Sequence, residues 1–352
     1  MPDPVLCLWG MCAAACASAI VVLVSGRLPR SGVSGRMDLA GVIGIAVGLL
    51  AGYVVLGFRP GWPPTNALGR FLLLLLPAAV AVELLAGLAR GRWRSVAGQG
   101  LVWSLRLTLA AVASRILLHG SVYLNESAGG WTAGQGITVL AIAGVLLAGV
   151  WGLLARLAER SPGVTVPLAL SQALLCAGAT ILLAGYISGG EAALPPAAAL
   201  AGVAIGCRLR GRMSGSVEFC RLPGAVGVGV LSLFSLLLIG RFFGDLSTSQ
   251  GLVILLAPLL CWSTELPLLR RCPPWLRGVV RLALVAIPLA LVLVAAKAKF
   301  DREMAPLLGA SPVQSFSGRL SCIAPSCTLI LDPSPIEGEG RSSVGHASLA
   351  LL

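Results

Sequence analysis

The chain has 352 residues, 57% of them hydrophobic and only 11% charged, with a formal charge of +12. Soluble domains carry about 25% charged residues, so too few remain here to cover a water-facing surface, and most of that surface must face lipid. Length alone would suggest two or three globular domains, but apolar runs fill residues 5–297 almost without a break, and the basic residues fall in short clusters between them. That spacing is a membrane topology signal rather than a nucleic-acid-binding face.

A bilayer core of about 30 Å requires roughly 20 apolar residues in a helix. Ten runs meet or approach that length: 5–25, 38–58, 69–89, 96–118, 134–156, 164–187, 193–207, 223–243, 250–269 and 278–297. The expected fold is an all-α polytopic bundle of about ten spanning helices over 1–303, because in lipid every backbone polar group must be satisfied within the element. The first run has no Lys or Arg before Arg27, which argues against a cleaved signal peptide and for a retained helix. The second carries Gly44, Gly48 and Gly52, each four residues from the next. Such glycines share nearly one helix face and let another backbone approach closely. Packing within the chain is the expected use of that stripe, and a homodimer seam is the alternative. The seventh run is the weakest, short and with Pro195-Pro196 near its start. After about residue 304 the sequence turns rich in Ser, Pro and Gly, as a disordered tail does. Cys322 and Cys327 in that tail are candidates to pair in an oxidising compartment.

Arginine clusters set the orientation. Arg27, Arg30 and Arg36 follow the first run, and Arg90, Arg92 and Arg94 the third. Arg156 and Arg160 follow the fifth, Arg208, Arg210, Arg212 and Arg221 the seventh, and Arg270, Arg271 and Arg277 the ninth. Positive loops stay inside, so these five are expected in the cytoplasm and both termini outside. The expected location is a bacterial cytoplasmic membrane. Lys297, Lys299 and Arg302 conflict with that orientation, although Asp301 and Glu303 dilute them. Trp62, Trp93, Trp131 and Trp275 fall at expected interfaces, where amphipathic rings favour the headgroup level. Trp103, Trp151 and Trp262 fall deeper and are expected to pack between helices.

Ionisable residues inside a span are costly and are functional candidates by default. They are Glu83 in the third run, Arg106 and Arg115 in the fourth, Glu265 in the ninth and Arg281 in the tenth. At 1.5 Å per residue, Glu83 lies about 10 Å and Arg106 about 15 Å from the same face. The two runs are antiparallel neighbours, so the side chains can meet. Glu265 and Arg281 repeat the arrangement at a depth of about 7 Å. In both places a proline (Pro77 or Pro258) precedes the glutamate, and an Arg-rich turn with Trp93 or Trp275 precedes the arginine. That order is compatible with internal duplication. Against it, the two copies run in the same direction six helices apart and differ in their Trp-to-Arg spacing. Ion pairs pinning two helices are the plainer use of these charges, and both glutamates are too shallow for a midplane site. Arg106 and Arg115, nine residues apart, fall on opposite faces. Arg115 and His119 share one face and, with Tyr123, Asn125 and Glu126, make the most polar cluster on the outer side. That cluster is a candidate anion or headgroup site, or else a wet helix end.

No P-loop, nucleophile-elbow or HExxH pattern occurs, and no paired acids of the DxD or ExxE kind lie in the loops. With two histidines and no CxxC pair, neither a metal site nor a cofactor is expected. Membrane lipids are the expected partners, with further copies or subunits of a membrane complex as an option; the Arg clusters are placed to meet anionic headgroups. Three functions follow in order: a transporter or flippase-like permease, a structural or accessory subunit of a membrane complex, and a lipid-modifying enzyme. A water-filled path to the midplane favours the first, and a dry core with an exposed glycine stripe the second. A lateral cleft of converging polar groups favours the third.

Overall fold

The computed structural model describes residues 3–25, 36–92, 96–121, 123, 131–161, 163–213, 222–265 and 273–304. The tail from 305 on, with Cys322 and Cys327, lies outside the described residues, as do Trp93, Asn125 and Glu126. The described chain is helical, with no strand among the described residues. In order it forms α1 (Pro4–Ser25), α2 (Arg36–Val55), α3 (Ala67–Arg70), a π-helical turn (Phe71–Leu75), α4 (Leu76–Arg92), α5 (Val96–Leu118) and α6 (Ala133–Arg160). Then follow α7 (Thr165–Leu183), α8 (Ile187–Glu191), α9 (Leu194–Met213), α10 (Pro223–Phe243) and α11 (Thr248–Leu256). A 3₁₀ segment (Ala257–Glu265) and α12 (Pro274–Met304) complete it.

Nine helices among the described residues are long and apolar enough to cross a bilayer. They surround one large core, with Ala86, Ala89 and Val102 in a small separate cluster, while large apolar side chains such as Leu8, Trp9, Val54, Ile137, Val145, Leu291 and Val294 stand exposed on the outside. An outer surface of that kind is stable against lipid rather than water, and the chain is a multi-pass integral membrane protein. α10 is the central helix: 78% of its span is buried, against 28% in α6 and α12.

The expected weak span is among the well-buried ones. α8 and α9 form a single 27-residue candidate, Ile187–Met213, 72% buried. Pro195 and Pro196 fall in the first turn of α9, where a missing amide proton costs no hydrogen bond.

The run 250–269 differs from expectation. Among the described residues it is not one of the nine long helices; its described part lies in nine residues of α-helix (Thr248–Leu256) followed by nine of 3₁₀ helix (Ala257–Glu265). Pro258 stands at the change. It has no amide to donate to the carbonyl four residues back, and its ring crowds that carbonyl. Beyond it, the hydroxyls of Ser263 and Thr264 donate to the carbonyls of Leu260 and Cys261 at 2.6 Å and 2.9 Å, supporting the tighter winding. The segment runs beside α12. Asp245, just before it, pairs with Lys299, and Glu265 at its end pairs with Arg281. Between those two basic residues α12 is about 27 Å long at 1.5 Å per residue, close to a bilayer core. The third run shows a milder break of the same origin: a π-turn, closed by a bond from the Leu76 amide to the Phe71 carbonyl, directly before Pro77.

The glycine stripe packs within the chain. Side-chain-free positions Gly44, Gly48 and Gly52 of α2 meet Ser18, Val22, Ala14 and Gly10 of α1 and Val203, Ala199 and Pro195 of α9. α9 answers with Gly202 and Gly206, which press on the backbone of Ala15 and Ala19 in α1. Three backbones therefore meet through small residues, as membrane helices do where packing must supply the attraction. The face that a homodimer seam would use is occupied by α1 and α9.

Candidate functional site: two intramembrane ion pairs

Glu83 of α4 and Arg106 of α5 meet side by side. Arg106 donates from Nε to Glu83 Oε1 at 2.9 Å and from Nη2 to Oε2 at 2.6 Å. Glu83 is 0% and Arg106 3% exposed. This fork-to-fork geometry is the strongest an Arg and a carboxylate can make. The surroundings close it on every side the described residues reach. The Arg106 guanidinium lies 5.1 Å from the centroid of Trp103 and 5.9 Å from that of Trp151, so two indole faces contribute cation–π attraction. From α10, Gly227 comes so near that a Cβ there would overlap the Glu83 carboxylate. α10 is able to pass so close because it has no side chain at that position.

A third acid, not singled out from sequence, belongs to the same region. Asp38 in the first turn of α2 is 3% exposed and accepts the amide of Gly224 at 2.8 Å. That amide is one of the unpaired donors at the start of α10, where the helix dipole favours negative charge. α10 is thus held by one acid at its first turn and lies against a second one turn later.

The second pair is more exposed and shares its charge more widely. Arg281 of α12 donates from Nη2 to Glu265 Oε1 at 2.6 Å, from Nη1 to Thr165 Oγ1 at 3.1 Å, and from Nε to Thr264 Oγ1. Arg281 is 6% exposed, but the Glu265 side chain is 20% exposed. Beside it Arg160 lies over the ring of Trp262, whose Nε1 donates to the Leu153 carbonyl at 3.2 Å. This pair therefore joins the end of the 3₁₀ segment to α7 and α12.

Of the outer-side cluster, Arg115, His119 and Tyr123 fall among the described residues. Arg115 and His119 are exposed. Tyr123 packs in an aromatic triad with Trp131 and Phe242, at centroid distances of 5.2–5.5 Å. A further arginine at this end, Arg70, was not among the sequence-based candidates. Its guanidinium donates to the carbonyls of Leu117 and His119 at the end of α5 and to Thr65. It completes acceptors that a helix end leaves unpaired. Trp103 and Trp151 sit between helices, and Arg106 and Arg115 point apart, one buried and one exposed. No group of three His, Cys, Asp or Glu able to hold a metal occurs among the described residues.

The contacts sort the loops into two sets. Asp38 with Gly224, Arg160 with Trp262 and Arg281 with Thr165 lie at ends flanked by Arg clusters. Arg70 with His119, Tyr53 with Ala192 and Lys299 with Asp245 join the alternate ends. Lys299 also meets Glu303 at 3.7 Å, so it stands between two carboxylates.

Comparison with protein-family models, curated proteins and solved structures finds no match.

Proposed function

We propose that this multi-pass membrane protein is a structural or accessory subunit of a membrane complex, and that its ion pairs fix helices rather than line a substrate path. The closure of the first pair carries the reading. Glu83 spends both oxygens on Arg106, under two indole rings and against a glycine of the central helix. A carrier site needs room for its cargo at the repeat interface and access to water, and nothing of a substrate's size fits between these groups. A buried pair is weak evidence for stability but a good device for fixing which helices meet. The glycine stripe is used up within the chain, so a partner subunit meets another face; α1, α6 and α12 are the least buried. The same reading keeps the Arg-rich loops in the cytoplasm of a bacterial cell and both termini outside. The test is extraction from the source membrane in a mild detergent with the particle mass measured by light scattering. A complex of fixed composition, larger than one detergent-bound chain, is expected. A monodisperse single chain contradicts the proposal.

The permease reading keeps one specific support. The segment Thr248–Glu265 changes helix type at Pro258 and ends on the partly exposed Glu265–Arg281 pair, and discontinuous helices are where transporters bind cargo. Loss of an ion or lipid flux in Glu265→Gln, with melting unchanged, would establish that reading over the first.

A further inference from the structure

The outer surface has an indentation beside the first ion pair, on the far side of the Trp103 ring. Trp103 of α5 and Ala148, Gly149, Gly152, Leu153 and Arg156 of α6 line a groove of about 400 Å³. It exists because two glycines stand where α6 would otherwise carry side chains. A Cβ at Gly149 meets nothing within 4 Å, and one at Gly152 meets only the Trp103 ring, at 3.6 Å. The walls are apolar and Arg156 alone supplies charge. Arg156 is exposed and makes no ion pair among the described residues, although Glu159 lies three residues on. Its depth suits a headgroup: Arg156 is about 6 Å from the end of α6, and Ala148 about 18 Å, so the groove runs from the interface into the hydrocarbon.

We propose that this groove holds one anionic glycerophospholipid, with an acyl chain against Gly149, Gly152 and Trp103 and its phosphate accepting hydrogen bonds from Arg156. A planar guanidinium matches phosphate oxygens in a forked geometry, and an acyl chain restores the dispersion contacts that bare glycines leave unmade. The bound chain also touches the ring that covers Arg106. Lipid occupancy therefore braces the lid of the buried pair, and phosphatidylglycerol raises the melting temperature of the wild type.

The test is lipid retention, measured by native mass spectrometry of the full chain released from nanodiscs of mixed phosphatidylcholine and phosphatidylglycerol. Two variants divide the site. Arg156→Gln keeps the groove and removes the charge. Gly149→Leu fills the groove and keeps the charge, at a position with open space around it. The wild type is expected to retain one phosphatidylglycerol in preference to phosphatidylcholine, and each variant to hold it about tenfold more weakly. Excess inorganic phosphate should leave it bound. Equal retention in the wild type and both variants overturns the proposal. So does equal retention of phosphatidylcholine, or displacement by phosphate alone.

Discussion

Replacing Glu83 by glutamine preserves the side chain's shape under Gly227 and removes its charge, so the cost is electrostatic rather than steric. Arg106, 3% exposed, is then an uncompensated cation inside the bundle. Breaking a buried pair in this way costs about 3–5 kcal/mol. The two indole faces remain and return part of it, which places the expected loss near the lower figure. With unfolding entropy scaling with size, about 3 kcal/mol lowers the melting midpoint of a domain of roughly 300 residues by about 5 °C. The assay is thermal unfolding in detergent, followed by light scattering, with Glu83→Met/Arg106→Met beside it. Methionine fills irregular space, and a buried pair exchanged for apolar residues of similar volume is often neutral, so the double variant should recover most of the loss. A Glu83→Gln midpoint within about 2 °C of the wild type would refute the staple reading, because the charge would then be stabilised by something other than its partner.

Glu265→Gln should cost less, about 1–2 kcal/mol, because Arg281 keeps the Thr165 and Thr264 hydroxyls and Glu265 is partly exposed; the same melting assay reads it. Gly48→Ala places a Cβ against the Ala14 carbonyl at 2.6 Å and should destabilise by about 1–3 kcal/mol through forced separation of α1 and α2, whereas Gly149→Ala should leave melting unchanged. Asp38→Ala should cost about 1 kcal/mol by removing the cap on α10, visible as faster amide exchange in the first turn of that helix. Lys299 holds the Asp245 carboxyl below its usual range, first by its hydrogen bond and then by its charge. With the folded value depressed, that contribution is present above the ordinary carboxylate pKa of about 3.9 and is lost as pH falls through the folded value. Both groups are exposed, so it is small, and Lys299→Ala should flatten the acid limb of the stability profile only slightly.

The helical class was legible because lipid leaves so few options: long apolar runs with charge between them have one solution for the backbone. The partners of Glu83 and Arg106 were legible for a local reason, since two adjacent antiparallel runs placed them at similar depth. The 3₁₀ segment was not. Hydropathy over 250–269 is indifferent to the winding, and the effect of Pro258 depends on whether Ser263 and Thr264 turn back on the preceding carbonyls. Asp38 escaped notice because it sits at the edge of its run, and only the approach of α10, far along the chain, turns an edge charge into a cap. Arg70 went unrecognised for the same reason: its acceptors belong to the end of α5. The glycine stripe showed that a close approach exists but not which helix makes it, because flat glycine faces accept another copy of α2 as readily as α1 and α9.

The central claim is that the Glu83–Arg106 contact is dry and closed. Labelling native membranes with dicyclohexylcarbodiimide tests this directly, since the reagent modifies protonated carboxyl groups within reach of lipid or of an internal water path. Peptide mass spectrometry would locate the products. The account predicts no modification at Glu83 across the neutral and mildly acidic range, with Glu265 the more reactive of the two. Labelling of Glu83 above that of Glu265, and blocked by no change at Arg106, would contradict it and reopen a path through the first pair.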